Sequence, residues 1–262
     1  MHPWLPLSEH FLATHHLQSA TSIEARIGPL AGLTPVAVLD AFRACAPADA
    51  VELRRLLADR RHRLIVKLLI LATETVPEPL FEDTVRAGVL TDNPSFNKHF
   101  LFPCAIVHGR RRVMDILLEL LDHGTDREKH GSAGALYWCS MRREHMYWPH
   151  HDGRPESRPA PDAPIDDLLR RFEDRALEEF FRNPALDVRR ALVHHLPAAA
   201  RRAPALGAQA IAVAREHSDD YVRQRILVDL AESALIPCKP LPTVADVPVT
   251  APPDDASGDR RR

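Results

Sequence analysis

The chain has 262 residues and a formal net charge of −2 at pH 7, with 34 Lys and Arg residues against 36 Asp and Glu residues. This near-neutral balance argues against a wholly basic nucleic-acid-binding protein. The four cysteines are far apart and form no Cys-x-x-Cys pair, so neither a zinc finger nor a disulfide framework is implied, and a reducing cytoplasm fits. The length suffices for one or two domains with a substantial core.

The hydropathy pattern gives no sign of a membrane protein. The longest apolar run covers residues 64–72, contains Lys67 and is too short to cross a bilayer. The N-terminus lacks a basic start followed by an apolar run, so we expect no signal peptide. We predict a soluble protein located in the cytoplasm.

The N-terminal third predicts a series of short helices. Only 10 residues of the chain are Gly and 23 are Pro, and many prolines fall between apolar periodic segments, where they end helices. The last of these early helices is expected to run to Thr75 and to end at Pro77 and Pro79. The helix starts expected before residue 80 are Ser8, a Thr21–Glu24 capping box, Thr34-Pro35, an Asp49–Glu52 capping box and His62.

The middle of the chain continues the pattern with a regular spacing. A helix over residues 80–90 carries acidic residues in its first turn, which suits the helix dipole. One helix begins near Asn97, and another begins at about Gly131, 34 residues later, after a turn at residues 124–129. The amphipathic stripe between them consists of Val113, Ile116, Leu117, Leu120 and Leu121.

An insertion interrupts this spacing, because the next equivalent helix begins 57 residues later instead of 34. The excess falls at residues 147–164, which hold five prolines and are predicted to form a loop. The helical stripe resumes at Ile165, Leu168, Leu169, Phe172, Ala176 and Phe180. After residue 236 the chain is Pro-rich and aperiodic, so residues 237–262 are predicted to be disordered.

The clearest repeat lies at residues 183–235. Two Val-Arg pairs, Val188-Arg189 and Val222-Arg223, are 34 residues apart, and each opens a helix-like apolar pattern after a polar turn. We expect both arginines to reach the acidic turn of an adjacent unit and so to form a ladder of ion pairs. The apolar positions are Val188, Ala191, Leu192 and Leu196 in the first unit, and Val222, Ile226, Leu230 and Ala234 in the second.

This stretch resembles HEAT repeats, in which the second helix follows an acidic turn and begins with Val-Arg, a small residue and then Leu. The matching residues are Asp187, Val188, Arg189, Ala191 and Leu196, followed by Tyr221, Val222, Arg223 and Leu230. The resemblance implies an all-α fold: a right-handed α-solenoid of about five or six HEAT-like helical pairs over residues 1–236. Each pair buries its apolar face only by stacking on its neighbours.

An aromatic and cationic patch borders the insertion and is predicted to bind a partner. Aromatic residues and Arg are preferred anchors of binding surfaces. The alternative interpretation is that Tyr137 and Trp138 belong to the core of their helix while Trp148 packs its loop. The residues of this patch are Tyr137, Trp138, Arg142, Arg143, His145, Tyr147, Trp148, His150 and His151.

The sequence gives little basis for metal binding or catalysis. Cys139 and His145 are six residues apart and do not share a helix face, which argues against a nucleophile pair. Phosphate-loop, dinucleotide-binding and nucleophile-elbow motifs are missing. We therefore predict no metal, no cofactor and no catalytic residue. A solvated loop is favoured over a metal site for Glu144, His145, His150, His151 and Asp152, because their spacing matches no ligand motif.

A basic cluster supports an alternative function. Between residues 54 and 67 only Asp59 opposes six cations, and strips of this kind bind phosphates. HEAT-like DNA glycosylases use a basic concave groove, but no catalytic Asp or Trp can be matched here. The other interpretation is a solvated outer face. The cations are Arg54, Arg55, Arg60, Arg61, Arg63 and Lys67, with Arg110, Arg111 and Arg112 further on.

The predicted function is a non-catalytic scaffold or adaptor that binds a protein or peptide partner on its concave face. Fold-level analogy is the basis for this prediction. The alternative is a HEAT-like nucleic-acid-binding protein or DNA glycosylase-type enzyme, which binding to duplex DNA that weakens steeply with salt would favour. A third option is a repeat protein that resembles bilin lyases and acts on a chromophore, although no residue here specifies a tetrapyrrole site.

Overall fold

The computed structural model of the chain describes Trp4, residues 35–141 and residues 164–235. Within these residues the fold is all-α and contains no strand. The helices expected from Ser8 and from the Thr21–Glu24 capping box lie outside the described residues, as do the tail and nearly all of the predicted insertion.

Short loops connect the helices. Two 3-10 turns accompany them, Glu78–Leu80 before α4 and Val193–His195 after α9. The α-helices are α1 (Pro35–Ala44), α2 (Pro47–Ala58), α3 (Arg63–Thr73), α4 (Phe81–Val89), α5 (Pro94–His108), α6 (Arg110–His123), α7 (Asp126–Ser140), α8 (Asp166–Arg182), α9 (Leu186–Leu192), α10 (Leu196–Arg202), α11 (Pro204–Glu216) and α12 (Asp220–Leu235).

The helices pack in two rows. In the first row α2 contacts α4, α4 contacts α6, α6 contacts α8 and α8 contacts α10. In the second row the contacts run from α1 through α3, α5, α7 and α9 to α12. The rows pack on each other through pairs such as α4 with α5 and α6 with α7. Along each row a helix therefore packs on the helix two positions further along the chain, except that α9 is followed by α12.

The predicted apolar stripes form the core between the rows. All five stripe positions of α6, from Val113 to Leu121, are buried. Phe172 and Phe180 on α8 are fully buried, as are Val188 and Val222 at the two Val-Arg pairs. These predictions are confirmed: period-3.6 spacing of apolar residues marks the buried face of each helix.

Three helix starts differ from the sequence prediction. Helix α5 begins at Pro94, three residues before Asn97, because the Asn93 side chain caps it by accepting the Ser95 N–H. Helix α7 begins at Asp126 and not at Gly131, because Thr125 caps it: the Glu128 N–H donates to the Thr125 hydroxyl and the Glu128 carboxylate accepts the Thr125 N–H. Helix α2 begins at Pro47, so the Asp49–Glu52 capping box is wrong. Asp49 instead lies in the first turn of α2 and accepts a hydrogen bond of 2.8 Å from the Trp4 indole.

The first Val-Arg unit is divided where one helix was expected. Helix α9 ends at Leu192, and α10 restarts at Leu196 with Pro197 in its first turn. A proline there cannot donate the backbone hydrogen bond that would continue α9, but it is well suited to a first helical turn.

The two arginines of the Val-Arg pairs do not bond as predicted. Arg189 donates to the Asn183 carbonyl at 2.7 Å, and Arg223 donates to the His217 carbonyl at 2.8 Å. Both guanidinium groups therefore hold the turn six residues before them, within their own unit. A bond between units is made instead by Arg190, whose guanidinium lies 2.6 Å from the Asp219 carboxylate in the turn before α12.

Candidate binding groove

A cavity of about 790 Å³ separates α7 from the segment that begins with α9. Helix α7 contributes one wall, α9 and the following 3-10 turn contribute the other, and the start of α12 closes one end. The lining residues are His130, Ala133, Gly134, Tyr137, Arg190, Ala191, His194, His195 and Tyr221. We call this cavity the α7–α9 groove.

The α7 wall owes its shape to small residues. Ala133 and Gly134 follow His130 by three and four residues, so these side chains share one helix face. A Cβ atom added to Gly134 would meet no atom within 4 Å. Tyr137 comes one turn later and is 59 % exposed. The α9 segment packs closely on this face, with His130 Nδ1 2.9 Å from the Asp187 carbonyl, and the small side-chain volume at Gly134 leaves the groove open beside that contact.

The opposite wall carries polar groups that are already paired. Arg190 forms its ion pair with Asp219, which offsets the guanidinium charge. The imidazole Nε2 of His194 lies 2.7 Å from the hydroxyl of Tyr221. Tyr221 keeps 45 % of its surface exposed, so its ring is available at the groove edge.

His195 carries no charge near neutral pH. Its Nε2 lies 3.1 Å from the Ala133 carbonyl, which can only accept, so Nε2 holds the proton and donates. Burial lowers the pKa of His195 to about 4, against the opposing effect of the hydrogen bond to Ala133 and with a smaller contribution from His194. Burial also lowers the pKa of His194, followed by the effect of Arg225. The groove is therefore aromatic and polar, with little net charge.

Two smaller cavities continue from the groove along the second row. One of about 140 Å³ shares His130 and Gly134 with the α7–α9 groove. The next, of about 220 Å³, shares Leu90, Thr91 and Asp92 with the previous one. Depressions thus follow one another from α12 back to the start of α3.

The predicted aromatic patch is only partly within the described residues, which include Tyr137 and Trp138. Tyr137 lines the groove, whereas Trp138 is partly buried and packs edge-on against Phe102, with ring centroids 5.4 Å apart. The core interpretation therefore fits Trp138 but not the exposed Tyr137. The patch residues outside the described part are Arg142, Arg143, His145, Tyr147, Trp148, His150 and His151.

Many of the predicted nucleic-acid-binding cations hold neighbouring helices together. Arg112 lies 2.6 Å from Glu78, and Arg111 lies 2.7 Å from Asp167. Arg54 donates to the Pro79 carbonyl at 2.7 Å, and Arg110 donates to the Met141 carbonyl at 2.8 Å.

The remaining predicted cations have other surroundings. Arg55 lies 3.9 Å from Glu52, and Lys67 stacks over the Phe96 ring at 4.6 Å. Arg60 and Arg63 line the cavity of 220 Å³, and the Arg61 N–H donates to the Asp59 carboxylate.

The residues weighed as ligands or as a nucleophile give no site in the described part of the chain. Cys139 is buried, and burial raises the pKa of its thiol to about 12. Cys45, Cys104 and Cys139 are free thiols. The described residues contain no group of three His, Cys, Asp or Glu placed to hold a metal ion. His145, the residue considered together with Cys139, lies outside the described residues, as do Glu144, His150, His151 and Asp152.

Several groove residues escaped the sequence prediction. His130, Arg190, His194, His195 and Tyr221 come from three separated segments, and no local spacing joins them. The signal that was available is the His-His pair directly after the Val-Arg helix, together with the aromatic residue before the second Val-Arg pair. None of these three residues belongs to the apolar stripe that the helical spacing predicts.

No family model, no curated protein and no solved structure matches this chain. Among the helices of the described residues, none combines the length and the apolar character needed to span a membrane. The groove geometry is therefore the principal guide to function.

Proposed function

We propose that the two rows of helices form an α-solenoid of HEAT-like pairs, and that the chain is a scaffold that binds a protein or peptide partner. The packing of the helices supports the first part, because along each row a helix packs on the helix two positions further along the chain, up to the contact of α9 with α12. The 34-residue spacing of the two Val-Arg pairs supports it too. In this proposal the second row, which carries the cavities, lines the concave face.

The observation that carries the binding proposal is the α7–α9 groove with its two exposed tyrosines. A cavity of 790 Å³ holds several side chains of a peptide. Tyr137 and Tyr221 supply aromatic surface, which is enriched in the centres of protein interfaces. The Arg190 charge is already offset by Asp219, so the partner segment is an uncharged one that inserts apolar or aromatic side chains.

The proposal is tested by selecting phage-displayed peptides on the purified full chain and measuring their affinities by fluorescence polarisation. Binding is measured for the wild type and for the Tyr137→Ala/Tyr221→Ala variant. We expect affinity to fall about tenfold or more, because buried aromatic anchors cost over 1 kcal/mol each on truncation.

The matched control is Val36→Ala/Val51→Ala, which removes two exposed apolar side chains outside the groove, each 65 % exposed. This variant is expected to bind the selected peptides as the wild type does. The binding proposal fails if no peptide is enriched, or if the tyrosine variant binds as tightly as the control while remaining folded.

A further inference from the structure

Two guanidinium groups converge on a single carboxylate beside the two smaller cavities, and a third lies in the same cavity wall. Arg60 lies 3.1 Å from the Asp92 carboxylate, and Arg127, from helix α7, lies 3.0 Å from its other oxygen. Arg63, the first residue of α3, lines the same 220 Å³ cavity as Arg60 and Asp92. Hydrogen bonding by Arg127 is the largest influence that lowers the pKa of Asp92, so this carboxylate is charged.

The positive charge at this place exceeds what Asp92 compensates. The acidic groups that act on Arg63 are Asp92 and Asp59, and Asp59 already lies 3.2 Å from His62 and accepts the Arg61 N–H. Arg63 is only 6 % exposed. Its pKa is lowered first by burial and then by repulsion from Arg127, with a further contribution from Arg60. A negative charge added beside Arg63 would offset both the burial of its guanidinium charge and the repulsion from the other arginines.

Polar atoms without a partner mark the same place. The Arg63 guanidinium donates from one terminal nitrogen to the Ala87 carbonyl at 3.1 Å and approaches the Thr91 hydroxyl at 3.4 Å, but its buried Nε has no hydrogen-bond partner. The adjoining 140 Å³ cavity is lined by Asn97, which is 4 % exposed and whose Oδ1 also has none.

These are two of the three such buried side-chain atoms among the described residues. Buried polar atoms are normally paired, so unpaired ones concentrated at a cavity point to a ligand that pairs them. The Asn97 amide can turn about its last bond and offer a ligand either oxygen or nitrogen. The cavities have volumes of 220 and 140 Å³, which suit a small group.

We propose that these cavities form a binding site for a small oxyanion, a phosphate or a carboxylate, held by Arg60, Arg63 and Arg127. Planar guanidinium groups match the geometry of both anions. Asp92 competes for the same guanidinium groups and lowers the affinity. The site differs from the α7–α9 groove and does not depend on peptide binding.

Calorimetric titration of the full chain with inorganic phosphate, and separately with acetate, tests the proposal at low ionic strength. We expect saturable binding of at least one anion in the millimolar range or below, and the tighter of the two identifies the anion type. Arg60→Gln and Arg127→Gln are each expected to weaken binding by up to about fivefold, because both side chains are partly exposed.

Asp92→Asn is the decisive variant, because it is expected to tighten anion binding by about fivefold instead of weakening it. A structural role of Asp92 alone would not produce this gain. Arg112→Gln is the matched control, since Arg112 pairs with Glu78 and lines neither cavity, and it is expected to bind as the wild type does.

Circular dichroism of each variant confirms that it is folded before titration. Tighter binding by Asp92→Asn together with weaker binding by Arg127→Gln supports the site. The proposal is overturned if neither anion binds, or if Asp92→Asn binds less tightly than the wild type while Arg112→Gln is unchanged.

Discussion

The neighbours of helix α7 approach it to very different distances along one face, and two glycines one turn apart show it. A Cβ atom added to Gly131 would lie 2.1 Å from the Val89 carbonyl oxygen, so α4 touches the α7 backbone directly. A Cβ atom added to Gly134 would meet nothing within 4 Å, because the α7–α9 groove opens there. The same residue type allows close packing at one position and leaves a binding surface one turn later.

The N-terminal end of α7 also carries a buried ion pair. Lys129 lies 2.5 Å from the Glu179 carboxylate on α8, and Glu179 is only 2 % exposed. Burial alone would raise the pKa of Glu179, but hydrogen bonds from Lys129, Asn183 and Arg182 outweigh it and leave the pKa below its ordinary value. This cluster joins the helices on either side of the predicted insertion.

The largest effect is therefore expected for Glu179→Ala, which leaves Lys129 buried without its partner. We expect the free energy of unfolding in urea to fall by about 3–5 kcal/mol. The control Arg182→Ala removes a neighbour that is 66 % exposed and should cost about 1 kcal/mol or less. Similar losses for the two variants would contradict a special role for the buried pair.

The groove side of α7 is expected to respond to pH through His195. The folded-state pKa of about 4 lies below the ordinary value of 6.5, so between these pH values the unfolded chain binds more protons. Stability is then complete above pH 6.5 and falls as the pH drops towards 4, by about 3 kcal/mol at most.

His195→Gln isolates this contribution, because the glutamine amide can still donate to the Ala133 carbonyl. Urea unfolding at a series of pH values should give a shallower dependence for the variant, by about one proton. His99, whose pKa burial lowers to about 4, remains in both proteins and cancels in the difference. Parallel pH profiles for the two proteins would show that His195 is not held uncharged.

The contrast between the glycines predicts opposite signs for the same substitution. Gly131→Ala forces apart two backbones and should destabilise the fold by about 1–3 kcal/mol. Gly134→Ala adds a methyl group in open space to an interior helix position and should stabilise by about 0.5–1 kcal/mol. Thermal melts of the two variants are sufficient, and a shift of both in the same direction would break the comparison.

Features of the fold that depend on residues close together in the sequence are predicted better than features that depend on distant residues. The stripe of α6 and the Val-Arg pairs were identified correctly as buried, because helical spacing is local. The Thr125 capping box was overlooked, so the start of α7 was placed five residues late. The break between α9 and α10 follows from Pro197, whose effect is also local.

The groove could not be predicted in the same way. Tyr137 was identified from its aromatic neighbours, but His195 and Tyr221 join it only after α9 and α12 pack beside α7. The convergence of Arg60 and Arg127 on Asp92 links residues more than thirty positions apart. Such contacts depend on tertiary packing, which the spacing of residues along the sequence does not reveal.

The most direct test of the binding groove is the affinity of Gly134→Leu for peptides selected on the wild type, measured by fluorescence polarisation beside a thermal melt. A Cβ atom at this position meets nothing within 4 Å, so we expect the variant to melt no lower than the wild type. It should lose affinity about tenfold or more, because its side chain occupies the space of the peptide. Wild-type affinity in a folded Gly134→Leu protein would contradict the groove as the partner site.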